Sequence, residues 1–492
     1  MRVLDERPGE DDGPMVGDVL GGFAIEDAWL VDPASGRAGP GSLRIEDGVI
    51  VELAWGASGG AAVAPGDGGV IVAPGFIDLH AHLREPGSEE AETYATGLAA
   101  AAHGGFTTIC ATPDTRPAVD RPEVVQRVGA AAAAAGSPVR ARTWAALTVG
   151  REGTTIGPLA SLAGAGVVGF TDLPSATTDP ALLRAALTEA GALGLPVVIH
   201  PDEPALTAGA EANEGLPATI LGLKGASPAA EVAAVARAVA VLRQVSAEMP
   251  SDVRPHLHLT GVSVGAALDP VRTARAEGLR VTCDVFPHHL VLHDGWLGGD
   301  ARYAWDAAND PWSGQPAPAP PYDVHVRLEP PLRSPEDAIA LLAALADGTI
   351  DAIATQHLPA RAVDKELPFG EAVPGIAGLE TALGLVLEAV AAGRLGLARA
   401  MRALSVGPYR VLDGARHGLA EPALREGASA DLVVFDRGDR WTVDRSALRS
   451  RAANTPFGGR SLPGRVLLTV SRGRVAWLDL DAGAPDAGIA HG

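Results

Sequence analysis

Within Val72-Ala-Pro-Gly-Phe-Ile-Asp-Leu-His-Ala-His-Leu-Arg-Glu-Pro-Gly87, a short apolar run ends in Asp78, His80, His82 and Arg84. Side chains at i and i+2 of a strand point to the same side. His80 and His82 can therefore grip one metal ion from the end of an apolar strand, with Arg84 within reach as an anion clamp. Asp172 follows Gly169-Phe-Thr, His200 follows Val197-Val-Ile, and His258 falls within His256-Leu-His-Leu. Neutral imidazole and carboxylate are the ligands that suit Zn²⁺ and related divalent ions. A single histidine in such a place is more often packed or at the surface. Four histidines and an aspartate recurring at the ends of four apolar runs point to a metal site.

The elements that must carry these residues are strands alternating with helices. Strands are expected at Val70–Leu79, Thr107–Ala111, Ala141–Leu147, Val167–Phe170, Pro196–Ile199, Arg254–Leu259, Arg280–Val285 and Ile350–Ala354. Ala/Leu-rich stretches such as Ala181–Ala192 and Pro228–Val245 read as helices between them. Eight strands with intervening helices predict an α/β fold, a distorted (β/α)8 TIM-type barrel, whose functional residues gather at the carboxyl ends of the strands. Short antiparallel strands are expected near both termini, in 22–31, 42–53, 430–435 and 464–477, and they predict one small β domain built from both chain ends. The expected division is 19–70 and 426–480 for the β domain and 71–425 for the barrel, with residues 1–18 without structure. The Gly-, Pro-, Asp- and Trp-rich segment 294–322 breaks the rhythm and reads as an inserted loop over the barrel mouth.

A chain of 492 residues is long enough for one large domain with accessories. Its net charge of −21 argues against a nucleic-acid or anionic-membrane partner, since both would be repelled. No stretch resembles a transmembrane span or a secretory signal, so a cytoplasmic enzyme is expected. Cys110 and Cys283 lie in apolar runs and read as buried thiols. Lysine is confined to Lys224 and Lys365, which limits any role that requires it.

Asp78-Leu-His-Ala-His-Leu-Arg-Glu-Pro-Gly87 resembles the signature of the dihydroorotases, in the amidohydrolase superfamily. The likeness runs through Gly104-Gly-Phe-Thr-Thr108, Thr112-Pro-Asp-Thr-Arg-Pro117, Val281-Thr-Cys-Asp-Val-Phe-Pro-His-His-Leu290, Pro330-Pro-Leu-Arg333, Asp347-Gly-Thr-Ile-Asp-Ala-Ile-Ala-Thr355, Pro374-Gly-Ile-Ala-Gly-Leu-Glu-Thr381 and Asn454-Thr-Pro-Phe-Gly-Gly459. It implies that His80 and His82 hold one zinc position and His200 and His258 a second. Asp172 matches the aspartate of the longer, bacterial-type members, where hydantoinases and allantoinases use a carboxylated lysine. Neither Lys224 nor Lys365 sits at that strand end. The implied reaction interconverts dihydroorotate and N-carbamoyl-L-aspartate in pyrimidine biosynthesis.

The resemblance also marks departures. The family's catalytic aspartate, its proton carrier, stands in an Asp-His-Ala-Pro-His block that here reads Gln356-His-Leu-Pro-Ala360. Glutamine offers a carbonyl oxygen but has no ionisation usable near neutral pH. His357 is adjacent, but neighbours on an extended segment face opposite ways. On the substrate side, two family asparagines are replaced by Asp114 and Glu329, and a histidine by Ala360. Arg84, Pro374 and Gly375 are kept. Pairing of Asp114 with Arg84 would neutralise the anion clamp. Three functions follow as expectations: a dihydroorotase-type cyclic amidohydrolase with impaired or retuned activity; a catalytically silent homologue serving as structural partner of aspartate carbamoyltransferase; and, third, a hydantoinase or allantoinase. One or two zinc ions, a small-molecule substrate and a homo-oligomeric assembly belong to the same expectation.

Overall fold

The computed structural model describes residues 2–5, 15–56, 69–310 and 319–479. The apolar run that opens the histidine motif divides at Gly75. Val70–Pro74 joins a sheet of terminal strands, while Phe76–Ala81 begins a ring of parallel strands. A Cβ at residue 75 would fall 2.2 Å from Thr107 Cγ2, so the crossing between the two layers requires glycine. The expected boundary between 70 and 71 is thus corrected to Gly75.

The ring consists of β1 (Phe76–Ala81), β2 (Phe106–Ala111), β3 (Arg140–Thr143, resuming at Ala145–Ala146), β4 (Phe170–Thr171), β5 (Pro196–Ile199), β6 (His256–Leu259), β7 (Val281–Val285) and β8 (Ala352–Ile353). Each pairs in parallel with the next. The last seam closes just beyond β8, where His357 bridges both Ala81 and Ile376. His357 N donates to His80 O at 3.2 Å and its own carbonyl accepts from His82 N at 2.8 Å. Asp78 fastens the same seam by accepting from Thr355 N (2.7 Å) and Thr355 Oγ1 (2.6 Å).

Helices cover the outside of the ring. Asp179 caps Pro180–Leu193 by accepting from Ala181 N, and Ser334 caps Pro335–Asp347 by accepting from Asp337 N. Proline at the first helical turn loses no helical hydrogen bond there. Leu183, Ala186, Leu187 and Ala190 recur at helical spacing and are buried, which fixes the face of Pro180–Leu193 turned to the barrel.

The terminal sheet runs in the order Arg474–Leu478, Ser461–Ser471, Leu432–Thr442, Val70–Pro74, Phe23–Asp32, Arg37–Glu46, Val49–Trp55. Its alternating residues divide between two cores. Ile25, Leu30, Leu43, Ile45 and Val434 form the sheet's own core, whereas Val31, Ile71, Val433 and Phe435 join the barrel core. Residues 1–18 are corrected in part: Arg2–Asp5 form a strand antiparallel to residues 23–26, and 1 and 6–14 lie outside the described residues.

The segment 294–322 is also corrected. It contains the helical turn Asp294–Gly298 and the helix Ala304–Asn309, with 311–318 outside the described residues. Trp296, Leu297 and Trp305 are buried in the main core, and Arg460 stacks on Trp296 at 4.6 Å. Its aromatic residues draw it inward despite the glycines and prolines. No described helix is long and apolar enough to cross a membrane.

Candidate active site

Ile77 and Leu79 pack inside the barrel with Cys110, Trp144, Val198 and Phe286. Between Asp78 and Ala81 the pairing with β2 shifts register, and such a shift re-aims side chains. His80 and His82 then enter the cavity above this apolar floor, His80 standing edge-on to Phe286 at 5.3 Å. Their Nε2 atoms face each other at 3.1 Å.

The partners of the other ring nitrogens assign the tautomers. His82 Nδ1 faces Asp114 Oδ2 at 2.8 Å, and a carboxylate there requires the proton on Nδ1. His80 Nδ1 lies 3.0 Å from Thr260 Oγ1, whose hydroxyl donates onward to Asp284 Oδ1 at 3.2 Å. His80 therefore donates through Nδ1 as well. Burial, with His82 and His200 close by, pushes the His80 pKa well below its ordinary value, and burial lowers that of His82 despite Asp114. Two neutral rings thus turn their ε lone pairs toward one another. Two nitrogens bound tetrahedrally to one zinc stand about 3.3 Å apart. This donor pair, with the Asp114 carboxylate orienting the His82 ring, fits one divalent ion.

The other expected ligands, Asp172, His200 and His258, stand apart from this pair, and two of them make hydrogen bonds of their own. His258 has both nitrogens engaged: Nε2 with Asp284 Oδ2 at 2.9 Å and Nδ1 with Thr282 Oγ1 at 2.8 Å. Asp172 accepts from Thr148 N at 3.0 Å and Thr148 Oγ1 at 2.6 Å, and burial raises its pKa. His200 lines the same cavity as His80 and His82. Among the described residues, His80 and His82 stand as a pair, with no third His, Cys, Asp or Glu side chain drawn into the same cluster.

The cavity, of about 240 Å³, is lined by His80, His82, Arg84, Leu173, Pro174, His200, Glu329, Gln356, Leu358, Val373 and Pro374. No described residue of 294–322 is among them, and 311–318 of that segment lie outside the described residues. Arg84 Nη1 donates to Asp114 Oδ2 at 2.7 Å and Nε to Pro359 O at 3.3 Å. Burial alone would raise the Asp114 pKa, but His82, Arg84 and Thr112 outweigh it and hold this carboxyl well below the usual range. Arg84 (φ 61°) and Gln356 (φ 50°) both have left-handed backbones. Such conformations cost about 1–3 kcal/mol and cluster at functional sites. Gln356 Nε2 donates to Glu329 O at 2.5 Å, while its buried Oε1 has no hydrogen-bond partner.

His357 turns away from the cavity to Glu92, at 3.2 Å. Ala360 is buried beside Asn454 and does not line the cavity. Gly375 holds the loop behind Pro374, since at φ 133° a Cβ would fall 2.8 Å from Leu358 O. Lys365 donates to Val324 O and Lys224 to Ala208 O, so neither reaches the histidines. Cys110 and Cys283 are buried free thiols whose pKa burial raises. The residues that orient the site without announcing themselves in sequence are Thr112, Thr148, Thr260 and Asp284. Only Asp284 carried a signal, an acid inside the apolar run Val281–Val285.

Comparison with known proteins bears on both fold and family. The family model described as Dihydro-orotase-like matches residues 68–248. The dihydroorotase of Anaeromyxobacter dehalogenans (strain 2CP-1 / ATCC BAA-258) is 39% identical over 457 residues, covering 92% of this chain and 96% of that protein. The dihydroorotase of Geobacter sp. (strain M21) is 35% identical over 454 residues, covering 92% and 98%. Among solved structures, L-hydantoinase from Arthrobacter aurescens matches with a TM-score of 0.72 at 22% identity, covering 92% of this chain and 95% of that one. A D-hydantoinase matches at 0.69 and 21%, covering 92% and 94%. At such identity the solved structures speak to the fold alone, a TIM-type barrel with a separate β domain.

Proposed function

The chain belongs to the dihydroorotase family of the amidohydrolase superfamily, and from that premise we propose that it is a metal-dependent cyclic amide hydrolase of the dihydroorotase type. The reaction is reversible hydrolysis of a ring amide. Its reference pair is dihydroorotate and N-carbamoyl-L-aspartate, in cytoplasmic pyrimidine biosynthesis. The observation that carries this reading is the His80–His82 pair, with Nε2 atoms 3.1 Å apart in a buried cavity. A zinc ion held there would supply hydroxide from water near neutral pH and polarise the amide carbonyl.

The chain's own side chains do the rest. His80 and His82 would hold the ion, while Asp114 and the Thr260–Asp284 pair keep their protons on Nδ1. Leu173, Pro174, Leu358, Val373 and Pro374 give the cavity an apolar wall that excludes water from the ring. Gln356 presents an amide at the place of the family's proton carrier. An amide cannot relay a proton, and loss of general acid–base assistance slows turnover by roughly 10²–10⁴-fold. Activity on dihydroorotate is accordingly impaired.

Gln356 also favours a second reading, a catalytically silent homologue that serves as a structural partner of aspartate carbamoyltransferase. Zinc-loaded protein assayed with dihydroorotate separates the two. Turnover that disappears in His80→Ala supports the hydrolase. No turnover in either direction with zinc bound supports the silent partner.

A further inference from the structure

Resting on the reading of this cavity as a cyclic amide site, we propose that Asp114 sets the charge class of its substrate: the site takes an uncharged five- or six-membered cyclic amide in preference to one carrying a ring carboxylate. Among the residues lining the cavity, Arg84 is the one arginine or lysine, and Glu329 the one carboxylate. Arg84 is already engaged, through Nη1 with Asp114 Oδ2 at 2.7 Å and through Nε with Pro359 O at 3.3 Å.

Asp114 is not free to swing aside. The same Oδ2 accepts from His82 Nδ1 at 2.8 Å, Oδ1 accepts from Thr112 Oγ1 at 2.7 Å, and the side chain is 4% exposed. A ring carboxylate must either displace Asp114 from Arg84 or share one guanidinium with a second anion. The first leaves a buried carboxylate short of its cation, and the second sets like charges together. Glu329, exposed at the cavity wall, is partly offset by Arg327 beside it, so the charge argument rests on Asp114.

An uncharged ring meets none of this opposition. Leu173, Pro174, Leu358 and Pro374 can take its methylene face. A metal held by His80 and His82 would act on the reacting amide, which both kinds of ring possess, and so would not distinguish them. Hydrolysis adds one water across the ring C–N bond: a C–O bond forms, the C–N bond breaks, one proton goes to the leaving ureido nitrogen, and the other is released to solvent as the acid ionises to carboxylate.

Dihydrouracil and dihydroorotate are the same ring without and with the carboxylate, so they make a matched pair of probes. On the zinc-loaded full chain, kcat/KM for dihydrouracil is expected to exceed that for dihydroorotate at least tenfold, with the difference mainly in KM. Asp114→Asn, which keeps the shape and removes the charge, is expected to shift that ratio at least tenfold toward dihydroorotate. Asp114→Glu is expected to keep the wild-type preference. A wild-type preference for dihydroorotate, or a ratio unchanged in Asp114→Asn, overturns the proposal. If Asp114→Asn does not fold, the wild-type ratio decides. Calorimetric binding of both rings separates the two levels of the argument. Tighter dihydrouracil binding without turnover of either ring keeps the charge preference and overturns the hydrolase reading. Tighter dihydroorotate binding overturns the preference alone, and binding of neither ring overturns both.

Discussion

Replacing Gln356 by aspartate tests whether proton transfer is what the site lacks. The side chain becomes one carbon shorter and gains a titratable group in the cavity that holds His80 and His82. Its backbone, at φ 50°, is a conformation that aspartate adopts more readily than glutamine, so the main chain has no reason to move. The hydrogen bond from Gln356 Nε2 to Glu329 O is lost, at a cost of about 1 kcal/mol in stability. Against this stands restored acid–base assistance of roughly 10²–10⁴-fold, or about 3–5 kcal/mol in the barrier. The barrier effect dominates. Because Asp114 and Glu329 already bring negative charge, KM for the anion dihydroorotate is expected to rise while kcat rises more. The assay is dihydroorotate hydrolysis by wild type and Gln356→Asp at equal zinc content, followed over pH. The variant should gain at least 100-fold in kcat, with an ionisation on the acid limb that wild type lacks. A kcat within threefold of wild type at equal metal content would refute the reasoning.

Asp78→Ala removes the acceptor of two buried Thr355 donors at the closing seam, costing about 2–6 kcal/mol, with a lowered Tm and loss of bound zinc expected together. A variant as stable and as metal-rich as wild type would show that the seam does not position the histidines. Asp294 is buried near Glu336 and Asp337, and burial first, then these charges, push its pKa up to about 6. Folded Asp294 therefore holds its proton between about pH 4 and 6 while the unfolded chain has released it, so stability falls as pH rises through that window. Asp294→Asn should stabilise the protein above pH 6 by up to about 3 kcal/mol and leave it unchanged at pH 3.5. Thermal melts across pH 3.5–8 read this directly, and a gain independent of pH would contradict it.

The barrel was legible because its helices and strands alternate with clear periods. Pro196–Ile199 and Pro180–Leu193 fall where the apolar spacing and the prolines put them. The division at Gly75 was not legible, because an apolar run reads the same whether it stays in one layer or crosses to another. At the site, the i, i+2 spacing of His80 and His82 was enough to pair them. The commitment of His258 depends on register: His258 pairs with Thr282 across β6 and β7, which sets Asp284 beside its ring. No local pattern carries that information. The segment 294–322 misled for a related reason, since its glycines and prolines mark turns but its tryptophans decide where it packs.

The central claim is that His80 and His82 hold a metal ion in a cyclic amide site. Elemental analysis of protein purified after expression with abundant zinc tests it most directly, beside His80→Ala and His82→Ala. The account predicts one tightly held divalent ion per chain, lost in both variants while the fold survives by circular dichroism. Metal-free wild type, or an ion retained equally in both variants, would contradict it.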